Sequence, residues 1–101
     1  MAIPINTILE EVGIPVAYGV FKEKTPLPYI VWLGGGQEHF SADNTYYTRE
    51  DNYQIELYFK LKDPVIEAQL EQILLDNGLH YEKSEDVYID DEGVFLVYYN
   101  V

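Results

Sequence analysis

The stretch that decides the fold is Asn52–Lys60, NYQIELYFK. Its residues alternate between two sets, one apolar and one mixed. The first set is Tyr53, Ile55, Leu57 and Phe59, and the second is Gln54, Glu56, Tyr58 and Lys60. Strict alternation is typical of a β-strand with one buried face. The pattern therefore predicts a strand here and a hydrophobic core on one side of a sheet.

A helix is predicted directly after this strand. Asp63 is a typical N-cap residue, and Pro64 suits the first helical position. Four apolar residues recur at helical spacing, namely Ile66, Leu70, Ile73 and Leu74. We expect Glu67 and Glu71 to lie on the solvent side, and Asn77-Gly78 to end the helix.

The residues before the strand predict a shorter helix and two extended segments. Helical spacing of apolar residues predicts a helix over residues 3–12, ended by Gly13. Val16–Val20 is short and extended. Tyr29–Leu33 is rich in β-branched and aromatic residues, which predicts a buried strand. We expect this strand to stop at Gly34–Gly36, in a flexible or bulged corner.

Residues 37–49 have the least regular pattern of the chain, which fits either a loop or a loosely held hairpin arm. Two last strands are predicted at about 79–89 and 94–101, joined by a turn at Asp90-Asp91-Glu92-Gly93. The fold class is therefore α+β, with a small, mostly antiparallel sheet of about four strands and two helices on one face. We expect a single domain over 1–101, with a flexible arm at about 34–49.

Composition excludes several classes of protein. The chain has 101 residues and no Cys, and its formal net charge is −12. This length fits one domain, and no apolar run approaches the roughly 18 residues of a membrane span. The first residues do not predict a secretory signal. The charge argues against binding nucleic acid through its phosphates, since that affinity comes mainly from Lys and Arg.

Residues with catalytic potential do not form a recognised motif. The acidic run from Glu82 to Glu92 lacks the spacing of a calcium loop, so a solvated face is favoured over a metal site. His39 and His80 lie far apart in sequence, and neither Ser41 nor Ser84 is in a nucleophile-elbow context. Gly34–Gly36 lacks the pattern of a phosphate-binding loop. We therefore expect no enzymatic activity and no cofactor.

Ten Tyr residues are the more informative feature. Packing explains Tyr53 and Tyr99, whereas we expect Tyr58, Tyr88 and Tyr98 on the opposite sheet face. Exposed Tyr is enriched at protein interfaces, which suggests self-association or docking. Antiparallel sheets also favour Tyr independently of any interface, and the sequence leaves both interpretations open.

Several short motifs, taken in order, resemble one family. They are Pro28–Val31, Ala42-Asp43-Asn44, Tyr53–Tyr58, Lys62-Asp63 with Glu67, Tyr88-Ile89 with Glu92, and Tyr98-Tyr99. Their order and spacing resemble the small tail terminator or head–tail joining proteins of long-tailed bacteriophages and prophages of Gram-positive bacteria. The resemblance covers nearly the full chain.

This resemblance implies a structural role and an α+β fold. Such proteins form a homo-oligomeric ring, often hexameric, that caps the tail tube and joins it to the head connector. DNA passes through the ring without specific binding, and no membrane is involved. The protein would be found in the neck or tail of the virion, and in the host cytoplasm during assembly. The resemblance implies no catalytic residues.

Two sets of residues fit such a ring. Phe40, Tyr46, Tyr47 and Tyr58 are the candidate subunit interface. Glu82, Glu85 and Asp86 are the candidate acidic lumen, which would repel DNA phosphates. The rival hypothesis is an acidic DNA-mimic that inhibits a nucleic-acid-binding protein. Its mark would be strongly salt-dependent affinity for a basic partner.

Overall fold

The computed structural model describes residues 4–42 and 46–101, with side chains for all of these except residues 37–51. Two helices and six strands lie within the described residues. In chain order they are α1 (Ile5–Glu10), β1 (Val16–Tyr18), β2 (Tyr29–Ala42), β3 (Tyr46–Phe59), α2 (Pro64–Asp76), β4 (Glu82–Lys83), β5 (Val87–Ile89) and β6 (Val94–Asn100). The α+β class is confirmed.

The strands form one sheet in the order β1-β2-β3-β6-β4, and β5 also pairs with β6. β1 runs parallel to β2, while every other pairing in the described part of the chain is antiparallel. The sheet therefore has six strands rather than about four. Part of the difference is that β1 joins the sheet as an edge strand.

The rest of the difference comes from a β-bulge in the predicted strand 79–89. Ser84–Asp86 are three residues that lie opposite two on β6, between the pairs Lys83↔Tyr99 and Val87↔Leu96. The Ser84 Oγ accepts a hydrogen bond of 2.9 Å from the backbone N–H of Tyr98. The hydroxyl therefore provides the acceptor for the Tyr98 N–H at the point where the extra residue disrupts the backbone pairing of the two strands. The prediction of one continuous strand was wrong at this point.

Both helices pack on one face of the sheet, as predicted. α1 is held there by the Trp32 Nε1–H, which donates to Asn6 Oδ1 at 2.8 Å. α2 is held by the Tyr99 hydroxyl, which donates to Glu71 Oε2 at 2.8 Å. The core between them contains residues from both helices and three strands, among them Leu9, Ile55, Leu70, Leu74 and Tyr99, all 0% exposed.

The ends of α2 confirm the predicted cap, but two of its side chains lie where they were not expected. The Asp63 carboxylate accepts from the backbone N–H groups of Val65 and Ile66. Glu67 is only 3% exposed, and Glu71 is partly buried against Tyr99. Both lie three or four residues from Leu70 or Leu74, so helical geometry places them beside the core. Their assignment to the solvent side was wrong.

The glycine triplet does not end its strand. The register between β2 and β3 shifts by one residue between the pairs Gly34↔Tyr53 and Gly36↔Asn52, and β2 then continues to Ala42. Gly36 has φ = +91°, a left-handed conformation that residues with a Cβ rarely adopt. The expected corner is a bulge inside a long hairpin, so the prediction of a strand ending at Leu33 was wrong.

A pair of glycine substitutions tests this bulge. Gly36→Ala should lower the free energy of unfolding by about 1 kcal/mol, because a Cβ strains the left-handed conformation. Gly34→Ala is the matched control, since Gly34 has ordinary φ and a Cβ there meets nothing within 4 Å. Urea unfolding measures both. Equal stability of the two variants would contradict the bulge geometry.

Candidate functional site

The first candidate surface is the far part of the β2–β3 hairpin, which we call the arm and define as residues 36–42 and 46–52. Its backbone pairs run from Gly36↔Asn52 to Ala42↔Tyr46. β1 pairs only with residues 30–32, and β6 only with residues 54–59 of β3. Within the described residues, therefore, the arm has two strands and extends roughly 20 Å beyond the sheet, at ~3.3 Å per residue.

Three of the four candidate interface residues belong to the arm. The backbones of Phe40, Tyr46 and Tyr47 are in the paired strands, but their side chains lie outside the described ones. Of the two interpretations of residues 37–49, the described backbone matches the hairpin. The molecule measures 51 × 26 × 26 Å, so it is elongated.

The second candidate surface is the helix-free face of the sheet. Tyr58 pairs with Leu96, and Tyr29 pairs with Tyr58, so these side chains share the face opposite the helices. Tyr98 lies on this face too, as predicted, because it pairs with Glu56. Tyr88 does not: it pairs with Phe95, and the two rings lie 4.9 Å apart at a tilt of 50°, on the helix side. The expectation for Tyr88 was wrong.

A buried carboxylate lies in the middle of this face. Glu56 is 8% exposed. Its Oε2 accepts from Gln54 Nε2 at 2.9 Å, and its Oε1 accepts from the Tyr58 hydroxyl at 2.8 Å. Burial, this hydrogen bond and the nearby charge of Glu56 together raise the pKa of Tyr58 well above its usual range. Tyr58 is thus a fixed donor at neutral pH.

The three candidate lumen carboxylates do not share one environment. Glu82 and Glu85 are exposed. Asp86 instead forms an ion pair with Lys62, whose Nζ lies 3.0 Å from both of its carboxylate oxygens. Of the three, Glu82 and Glu85 take no part in the ion pairs that join the described residues.

An ionic network that the sequence did not predict joins α2 to the sheet. Lys62 Nζ donates to Glu67 Oε1 at 3.0 Å. It also lies 2.9 Å from Oε2, but Oε2 accepts no hydrogen bond within the described residues, so this second contact is an ion pair only. Lys83 Nζ lies 2.9 Å from Glu67 Oε1 and donates to Glu71 Oε2 at 2.8 Å. Two lysines thus neutralise the buried Glu67.

Glu71 is the best-supported carboxylate of this network. Burial alone would raise its pKa, but hydrogen bonds from Lys83, Tyr99 and Tyr81 outweigh burial and lower it. The Tyr99 hydroxyl is correspondingly harder to ionise, because burial and Glu71 raise its pKa. The network is a structural device that fixes α2 on β4 and β6.

The structure describes the side chains of only some of the residues considered for catalysis. His80 is exposed, and the side chain of His39 lies outside the described ones. The described residues contain no group of three or more His, Asp or Glu placed to hold a metal ion. Neither helix of the described residues combines the length and the apolar character that a membrane span requires. The sheet face and the arm are thus the features on which a function can be argued.

The chain was compared with known proteins by sequence. No protein-family model matches it, and no curated protein matches it.

The pKa of Glu71 leads to a prediction about acid stability. A carboxyl with a lowered folded pKa stabilises the fold above its unfolded pKa, near 4.5, and loses that contribution as pH falls through the folded value. Glu71→Gln should therefore lower the free energy of unfolding by about 1 kcal/mol at pH 7. The difference from the wild type should shrink toward pH 3.

Urea unfolding at several pH values measures this difference, with Glu85→Gln as the control. Glu85 is exposed, so its variant should follow the wild type throughout. A Glu71→Gln deficit that stays constant down to pH 3 would mean that the charge of Glu71 is not what stabilises the fold.

Proposed function

We propose that the protein is a non-enzymatic structural subunit of a bacteriophage head–tail junction, which assembles into a ring that caps the tail tube and joins it to the connector. The observation that carries the proposal is the arm. A two-stranded ribbon that extends beyond its sheet is only marginally stable by itself. Contact with a neighbouring subunit would stabilise it.

The position of the arm suits a head-to-tail contact. It leaves the body at Gly36 and Asn52, at one end of the two central strands. The opposite end of the same strands carries Tyr29 and Tyr58 on the helix-free face. If the arm of one subunit reaches the body of the next, the contact is heterologous, and such contacts close into rings when the rotation allows.

The charge of the chain also supports a role around DNA that does not involve binding it. The net charge is −12, and Glu82 and Glu85 are exposed. A surface of this sign repels phosphate and offers few basic groups that could retain DNA in a channel. The candidate lumen is therefore proposed on Glu82 and Glu85, with Asp86 contributing less because Lys62 neutralises it.

Solution mass tests the ring. Light scattering and negative-stain microscopy over a wide concentration range, with and without Mg²⁺, should show a ring with a central hole. Mg²⁺ should favour assembly because it relieves the repulsion between acidic subunits. A shortened variant, in which an Asn-Gly turn replaces residues 38–50, should remain monomeric under the same conditions.

The controls separate loss of assembly from loss of folding. The shortened variant must unfold in urea like the wild type, since the buried cluster of the described side chains is built from the two helices and the body of the sheet. Rings that form equally well without the arm would overturn the assignment of the interface. A monomer under all conditions, including with isolated tail tubes, would overturn the ring itself. Salt-sensitive capture by a basic nuclease would then favour the DNA-mimic alternative.

A further inference from the structure

A cavity opens on the helix-free face, next to the connection between β1 and β2. It measures about 310 Å³. Tyr29, Val31 and Tyr58 form its floor, and residues 19–21 and 23–25 of the connection form the opposite wall. Glu92, from the turn between β5 and β6, lies at its rim. This volume is at the small end of ligand pockets, which run from roughly 300 to 1,000 Å³.

Aromatic rings line the cavity on two sides. Phe21 and Tyr29 meet edge to face at 4.8 Å, and Tyr29 lies against Tyr58 at 5.1 Å. The negative faces of such rings attract ammonium and guanidinium groups. The Tyr58 hydroxyl points to Glu56 as a donor, which fixes the ring as part of the floor.

The charge around the cavity has the sign that suits a cation. Two carboxylates, Glu23 and Glu92, line it against one amine, Lys24. Glu56, on the same face and hydrogen-bonded to Tyr58, adds a third negative charge beside the cavity. The ion pairs of the described residues all use Lys62 or Lys83, and none of them involves Glu56. The pKa of Tyr29 is raised by burial and by the charge of Glu92, which agrees with this field.

We propose that this cavity binds an organic cation, an alkylammonium or guanidinium group of the kind that ends a lysine or arginine side chain. The aromatic floor takes the face of the cation, and Glu92 and Glu23 take its N–H groups. An anion is disfavoured, because Lys24 would have to outweigh both carboxylates and the buried Glu56. All lining residues belong to one chain, so the proposal does not depend on ring assembly.

An NMR titration of the amide signals tests the site, with N-acetyl-arginine amide as the probe and its neutral isostere N-acetyl-citrulline amide as the control. The arginine probe should shift the amides of residues 19–25, Tyr29 and Glu92 at millimolar concentration, and the citrulline probe should not. A peptide with arginine between glycines is the second arm. Tighter binding of the peptide identifies a protein segment as the source of the cation, and equal binding identifies the free molecule.

Two pairs of variants give effects of opposite sign. Glu92→Gln should weaken arginine binding by about threefold, as expected for an exposed ion pair. Asp91→Asn changes the same net charge in the same turn, outside the cavity lining, and should not weaken it. Lys24→Gln should strengthen binding, whereas Lys22→Gln should not. All four residues are exposed, so the variants are expected to fold.

Three results would overturn the proposal. The first is equal binding of the arginine and citrulline probes, which would show that the cavity does not distinguish a charged group from a neutral one. The second is inorganic phosphate shifting the same amides more strongly than arginine does. The third is the absence of any shift at these residues when the arginine probe is added, together with an unfolding transition that is the same with and without the probe.

Discussion

The structure depends on the burial of one face of β3. Ile55, Leu57 and Phe59 are at most 4% exposed, and β3 is paired on both sides, with β2 and β6. Since side chains alternate along a strand, the same constraint places Glu56 and Tyr58 on the other face. A one-residue slip would bury Tyr58 among the helices and expose the core. The core therefore also sets the chemistry of the helix-free face.

The elements that could be predicted are those whose signal is local. The alternation in β3 and the Asp63 cap of α2 each lie within one segment, and both predictions were confirmed. The environment of Glu67 could not be predicted, because one of its two lysine partners, Lys83, comes from strand β4, which lies further along the chain. A helical pattern shows which residues flank the core, but it does not show which of them meet a lysine there. The parallel pairing of β1 with β2 could not be predicted either, because it too joins two separate segments of the chain.

The candidate sites divide in the same way. The helix-free position of Tyr58 follows from its place in an alternating strand. The cavity beside it does not, because it needs the β1–β2 connection to bring Phe21 onto Tyr29. A connection without periodicity gives no sign of the sheet face over which it passes. The bulge at Ser84 was missed because the residue pattern of the strand does not show that the Ser84 hydroxyl, rather than a backbone carbonyl, accepts the Tyr98 N–H.

The use of lysine links stability to surface charge. The chain has only 6 basic residues and 18 acidic ones. Two of the basic residues, Lys62 and Lys83, form ion pairs in the network around Glu67 and Glu71. The network pairs these two lysines with three carboxylates, Glu67, Glu71 and Asp86, so almost all of the net charge lies on the rest of the chain. Exposed like charges on two copies of the chain repel each other over about 10 Å at 0.1 M salt. Any close association of copies must then place apolar or paired groups at the contact and leave the carboxylates to solvent or to divalent ions.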